Sequence, residues 1–211
     1  MDDLLLIGRP QVLILLDYAG VGLFAITGAL VAARTRQDVI TGMFFAILTG
    51  VGGGTVRDLL IGAPVFWIAQ AGYLEVCLAA ACAVFLLNAE LWSGRVLTWL
   101  DALGLAVYCV VGALKALSFG VPAVAAAAMG VITASVGGIL RDVVAMRPNI
   151  LLNREFYVTA AIVGASLFVL LVKQGFSESA AGVIASLAAF ATRAGSILYG
   201  WKQREKKWGR H

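Results

Sequence analysis

GVGGGTVRD, residues Gly50 to Asp58, is out of place in the segment that holds it. That segment, Val39 to Ile61, is apolar and long enough to cross a bilayer, for which about 20 residues suffice. Yet it contains three consecutive glycines, each about 1 kcal/mol poorer than alanine in a helix. It also carries an adjacent Arg-Asp pair, and a charge inside a membrane helix costs roughly 3 kcal/mol and calls for a partner or water. The pattern then returns. In SVGGILRD, Ser135 to Asp142, Gly53, Gly54, Arg57 and Asp58 reappear as Gly137, Gly138, Arg141 and Asp142, each 84 positions on.

Composition sets the class. The chain has 211 residues, 61% hydrophobic and 13% charged, with mean hydropathy +0.94. Soluble domains carry about 45–50% apolar and 25% charged residues, so this is an integral membrane protein, read as one transmembrane domain over residues 1–211. The net charge of +4 sits in the tail, residues 202–211, where five basic residues face only Glu205. Beside a membrane span such a run marks the cytoplasmic side and touches anionic lipid; no nucleic-acid partner is expected. Cys77, Cys82 and Cys109 match no metal or disulfide spacing and read as small core residues. The first span lacks a cleavable signal pattern and is expected to be retained.

Hydropathy places seven spans, at about Val12–Ala33, Val39–Ile61, Tyr73–Trp92, Leu97–Leu117, Ala123–Ala145, Phe156–Val172 and Ser179–Trp201. With the carboxyl terminus in the cytoplasm and the amino terminus outside, the inner side holds Arg34, Arg36, Arg95, Arg147, Arg154 and the five tail residues. The outer side holds Arg9, Lys115 and Lys173. Basic residues favour the cytoplasmic side, and ten against three sets that orientation, in a bacterial inner membrane.

The repeat extends without gaps. Asp17 falls on Asp101, Gly20 on Gly104, Gly28 on Gly112, Thr49 on Thr133, Pro64 on Pro148 and Tyr73 on Tyr157. The first unit covers about residues 12–92 and the second about 97–172, with the seventh span, about 179–201, outside the symmetry. Three crossings per unit is an odd number, so the copies face opposite ways. Inverted repeats of this kind place a permeation or substrate site near the midplane, lined by interrupted helices. On this reading Gly52, Gly53 and Gly54 break span two, and Gly137 and Gly138 break span five. Close helix packing alone is the blander explanation, and a matched pair of motifs argues against it.

Breaks at the glycines would free carbonyls around Ala46 to Thr49, which suit a monovalent cation held by backbone oxygens with no fixed side-chain ligands. Thr49, Thr55 and Thr133 add hydroxyls there, unless they bond back to their own helices. Neighbours such as Arg57 and Asp58 do not face each other on a helix, so each is expected to find another partner. At 1.5 Å per residue Asp17 and Arg57 lie within about 3 Å in depth, and the repeat gives Asp101 and Arg141 the same relation. Pairs Asp17–Arg57 and Asp101–Arg141 follow, unless the aspartates cap helix starts. Asp58 and Asp142 belong to the same charged positions. Lys115, near the outer end of span four, either snorkels or projects into a pore as a gating or voltage-sensing charge. Arg193 in the last span is expected to snorkel.

Enzyme motifs fail. A P-loop needs a Lys-Ser/Thr after its glycines, a dinucleotide fingerprint needs a glycine where Thr55 stands, and the only histidine is His211. An enzyme is therefore not expected.

GGGTVRDLLIGAPVFWI and GGILRDVVAMRPNILLNREFY resemble the paired motifs of prokaryotic trimeric intracellular cation (TRIC) channels, over about residues 12–200. The resemblance implies a homotrimer in which each protomer has an hourglass pore bounded by kinked spans two and five. It implies conduction of K+ and Na+ with no cofactor, and Lys115 resembles a fourth-span lysine implicated in gating. A lysine-bearing, phosphoinositide-binding motif of animal members is TVRD here. The alternative function is a secondary carrier for a small solute such as glycine; a membrane scaffold is a third reading.

Overall fold

The computed structural model describes residues 11–87, 94–147 and 157–208. Among them are eight helices and no strand. The order is α1 (Gln11–Arg34), α2 (Val39–Leu60), the single turn α3 (Phe66–Ala69), α4 (Gly72–Leu86), α5 (Gly94–Ser118), α6 (Ala123–Val144), α7 (Tyr157–Lys173) and α8 (Glu178–Trp208). The ends of α1, α2, α5 and α6 fall within a few residues of the expected spans, because turn chemistry closes those apolar runs, whereas α4 ends at Leu86, before the expected Trp92, which lies outside the described residues, and α8 continues to Trp208, past the expected Trp201. Five helices are long and apolar enough to cross a membrane, and α4 and α7 are shorter apolar helices. Pro148, Arg154 and Arg9 lie outside the described residues, and the tail is described only as the backbone of α8 to Trp208.

The repeat is visible in the turns. Helices α1 and α5 end with Arg36 (φ 56°) and Gly120 (φ 75°) in the left-handed region, and α2 and α6 end with Gly62 (φ 66°) and Met146 (φ 49°). These are equivalent positions. In each pair the same backbone bond spans the last turn, Ala63 N to Asp58 O and Arg147 N to Asp142 O, for example, the closure of a helix C-cap. Glycine adopts this conformation without penalty, whereas another residue loses about 1–2 kcal/mol. Met146→Gly is therefore expected to stabilise by up to about 1 kcal/mol after glycine's own entropy cost, read as a raised thermal midpoint.

Packing repeats in the same way. Helices α1, α2 and α4 pack mutually, as do α5, α6 and α7, and the units meet along α2–α6 and α1–α5. The seam is reciprocal. Phe24 packs on Tyr108, with ring centroids 5.5 Å apart, at equivalent positions of α1 and α5. A side chain on Gly20 would meet the Tyr108 ring, and one on Gly104 would meet Phe24. Helix α8 breaks the balance, because it packs on α5 and α7 of the second unit. The core between these helices is built of small residues, among them Ala25, Ala29, Ala106, Ala113, Cys77 and Cys109, which let backbones approach closely.

Candidate functional site

The glycine motifs meet. A Cβ on Gly53 would strike the carbonyl oxygen of Thr133, and one on Gly137 would strike the carbonyl oxygen of Thr49. Thr49 and Thr133 are equivalent positions, as are Gly53 and Gly137, so the contact is its own image under the repeat. One turn away, Gly28 lies against the Phe45 carbonyl and the Thr49 hydroxyl, while its counterpart Gly112 lies against Thr133. Gly52 faces Leu140, and Gly54 faces the Phe66 ring.

This corrects the expected interruption. Helices α2 and α6 run as continuous α-helix through Gly50–Gly54 and Gly137–Gly138. The glycines bring two helix backbones into contact at a crossing, the role that had seemed too bland. The threonine hydroxyls also stay within their helices. Thr49 donates to the Phe45 carbonyl, Thr133 to that of Met129, and Thr55 to that of Val51. Thr55 additionally accepts from Trp67 Nε1 at 2.9 Å.

Beyond each side of the crossing lies a buried cluster of charge. In the first, Arg57 Nε and Nη2 both reach Asp58 Oδ1 at 2.8 Å. Lys115 Nζ meets the same carboxylate at 2.8 Å, and Phe66 N donates to Asp58 Oδ2 at 2.9 Å. The Phe66 ring lies under both cations, 5.6 Å from each, close enough for a cation–π contribution. Asp17 accepts the Tyr73 hydroxyl at 2.9 Å. In the second cluster Arg141 Nη1 meets Asp101 Oδ1 at 2.9 Å, and its Nε meets Asp142 Oδ1 at 2.9 Å. Arg141 also donates to Thr27 Oγ1 from α1. Arg193 of α8 lies over the Tyr157 ring at 5.1 Å.

Two expectations change here. Arg57 and Arg141 each turn to the next residue in sequence. The rule that neighbours on a helix diverge describes Cβ directions, and a long guanidinium at a helix end can swing back to a short carboxylate. Arg141 holds Asp101 as well, as the depth argument has it, whereas Asp17 takes the Tyr73 hydroxyl and Arg57 keeps to Asp58. Arg193 does not snorkel: it is fully buried. A buried charge needs compensation, and the tally explains the position. Two aspartates and one arginine from each repeat leave one negative charge, offset by Lys115 in the first cluster and Arg193 in the second. Lys115 stands where the repeat has the buried Val31, and α8 has no counterpart, so both cations lie outside the symmetry.

The charged positions and threonines were readable in advance; Phe66, Tyr108 and the tyrosine pair were not taken as site residues. Tyr73 and Tyr157 coincide in the repeat, a signal that could have found them. The Tyr157 hydroxyl lies 3.4 Å from the Ala134 carbonyl, and Tyr108 makes the same approach to Gly50; the two acceptors are equivalent positions, the two tyrosines are not. No group of three or more His, Cys, Asp or Glu able to hold a metal ion occurs among the described residues.

Known proteins are similar to this chain in sequence and in overall fold. A family model described as Glycine transporter matches twice, over residues 14–89 and 98–173, windows 84 positions apart. A UPF0126 membrane protein of Vibrio cholerae is 38% identical over 194 residues, covering 90% of this chain and 80% of that protein. The UPF0126 inner membrane protein YadS of Escherichia coli is 38% identical over 154 residues, 71% of this chain and 73% of its own. The crystal structure of the TRIC channel orthologue from Rhodobacter sphaeroides superposes with a TM-score of 0.88 and 43% identity, covering 90% of this chain and 100% of that one. The chain belongs to the TRIC family. A prokaryotic TRIC channel solved in 0.5 M KCl gives a TM-score of 0.83 at 25% identity, over 90% and 98% of the two chains. TRIC membership makes this an all-helical membrane protein from a family of channels rather than enzymes.

Proposed function

We propose that this protein is a seven-span, inner-membrane channel for K+ and Na+, assembled as a homotrimer with one pore per protomer. The observation that carries the reading is the nearly full-length likeness to the Rhodobacter TRIC channel. Helices α2 and α6 bound the path, held against each other at their crossing by Gly53 and Gly137. The two halves are inverted, the amino terminus is outside, and the basic tail is cytoplasmic on anionic lipid, following the distribution of basic residues.

Lys115 is the gating charge in this scheme. It holds Asp58 while its own side chain keeps 12% of its surface exposed, so it is the least enclosed cation of the two clusters. One charge crossing the full field gains about 2.3 kcal/mol per 100 mV, and a partial movement gives weaker voltage dependence. In planar bilayers, unitary currents reversing at the cation equilibrium potential are expected. Lys115→Met should flatten the voltage dependence of opening while Arg57 retains Asp58. Unchanged voltage dependence would remove Lys115 from gating. The family model's description keeps glycine carriage as a second reading, and saturable glycine uptake without unitary currents would establish it in place of the channel.

A further inference from the structure

One groove on the lipid-facing surface is lined by residues that the first repeat does not share. Between α6 and α7 lies an open groove of about 590 Å³, running from Ala123 to Ile132 on one wall and from Ile162 to Lys173 on the other. The equivalent positions of α2 and α4 carry larger side chains. Met43 and Phe44 correspond to Ala127 and Ala128, and Phe85 corresponds to Val169. In the first repeat the Phe85 ring closes onto Gly42; in the second, the smaller Val169 is one of the groove's lining residues.

Its dimensions and chemistry identify an occupant. Eleven residues separate Ile162 from Lys173, about 16 Å of helix. Half of a hydrocarbon core about 30 Å thick is about 15 Å. The groove therefore has the depth of one leaflet. Its walls are apolar apart from Ser166 and from Lys173, which is exposed at the last residue of α7, where a lipid headgroup would lie. A neighbouring transmembrane helix, about 10–12 Å across, would contact both leaflets, and this groove ends halfway.

We propose that the α6–α7 groove is a binding site for an anionic phospholipid, with one acyl chain in the slot and the phosphate on Lys173. It rests on the seven-span reading and is independent of conduction. The full-length protein is reconstituted in vesicles of equimolar phosphatidylglycerol and phosphatidylcholine, and retained lipid and oligomer mass are read by native mass spectrometry. The wild type is expected to keep phosphatidylglycerol over phosphatidylcholine by about fivefold, the factor matching ~1 kcal/mol per basic residue at an anionic surface. Lys173→Gln should keep the lipid and lose the preference. Ala128→Phe and Ser166→Phe, which fill the groove from exposed positions on its two walls, should each lose the lipid with oligomer mass and thermal midpoint unchanged. Equal retention in both filled variants overturns the proposal, as does a preference that survives Lys173→Gln. Loss of the oligomer with lipid retention intact would instead mean that a second copy of this chain covers the groove. One-sided labelling of Gln174→Cys, an exposed position just past α7, by a membrane-impermeant maleimide reports separately whether α7 crosses the bilayer.

Discussion

Alanine at Gly53 or Gly137 is expected to destabilise the protein by about 1–3 kcal/mol or more, the usual range for overpacking a close-packed interior. The added methyl would meet a backbone carbonyl of the opposite helix in both cases. A flexible side chain could move aside, but the Thr133 and Thr49 carbonyls are fixed in the middle of α6 and α2. The helices must therefore separate along their crossing, giving up the contacts around it. Two other glycines serve as controls. A Cβ on Gly138 would find its nearest atom, the Tyr157 hydroxyl, at 3.4 Å, and one on Gly195 would find nothing within 4 Å. Alanine at those positions is expected to be neutral or to stabilise by up to about 1 kcal/mol, since it is the better helix former. Thermal unfolding of the purified protein in detergent ranks the four variants. Equal midpoints for Gly53→Ala and Gly195→Ala would sink the packing role and return these glycines to the part of simple helix breakers.

Arg141→Met is expected to cost about 3–5 kcal/mol, the range for removing one partner of a buried ion pair. Arg141 is 2% exposed and holds both Asp101 and Asp142, so its loss takes one guanidinium from two buried carboxylates at once. The equivalent change in the first cluster should be milder. Asp58 would keep the Lys115 ammonium at 2.8 Å and the Phe66 amide at 2.9 Å after Arg57→Met. Adding Asp101→Asn to Arg141→Met should recover part of the loss, because it removes one of the two negative charges that Arg141 held, and close neighbours are expected to couple. The check is a comparison of unfolding midpoints for the two single variants and the double variant. Arg57→Met as damaging as Arg141→Met would contradict the asymmetry assigned to Lys115.

Much of the fold was legible from transfer energetics and local turn chemistry. Apolar runs and the glycines, prolines and charges that end them gave helix borders close to those observed for α1, α2, α5 and α6. The 84-residue spacing of Gly-Gly-x-x-Arg-Asp announced two equivalent units, and the family model matches the chain in two windows at that spacing. The buried charges were visible as misfits in apolar sequence. The one-turn helix α3, which brings Phe66 beneath Arg57 and Lys115, was not, since four residues carry no periodicity to read.

The chain by itself determined that this is a helical membrane protein, where its helices run, that it repeats, and which residues carry charge into the apolar layer. Those properties depend on each segment's own hydrophobicity and bonding, and sequence displays them directly. Only the tertiary structure decided that the glycines join α2 to α6, that Arg57 and Arg141 turn to their own neighbours, and that Arg193 is buried. A glycine in a helix reads the same whether it weakens that helix or admits another. What distinguishes the two is the backbone on the far side, which here belongs to a segment 84 residues away. The reach of an arginine is likewise longer than the spacing of its candidate partners, so its choice is made by whichever carboxylate folding has buried beside it.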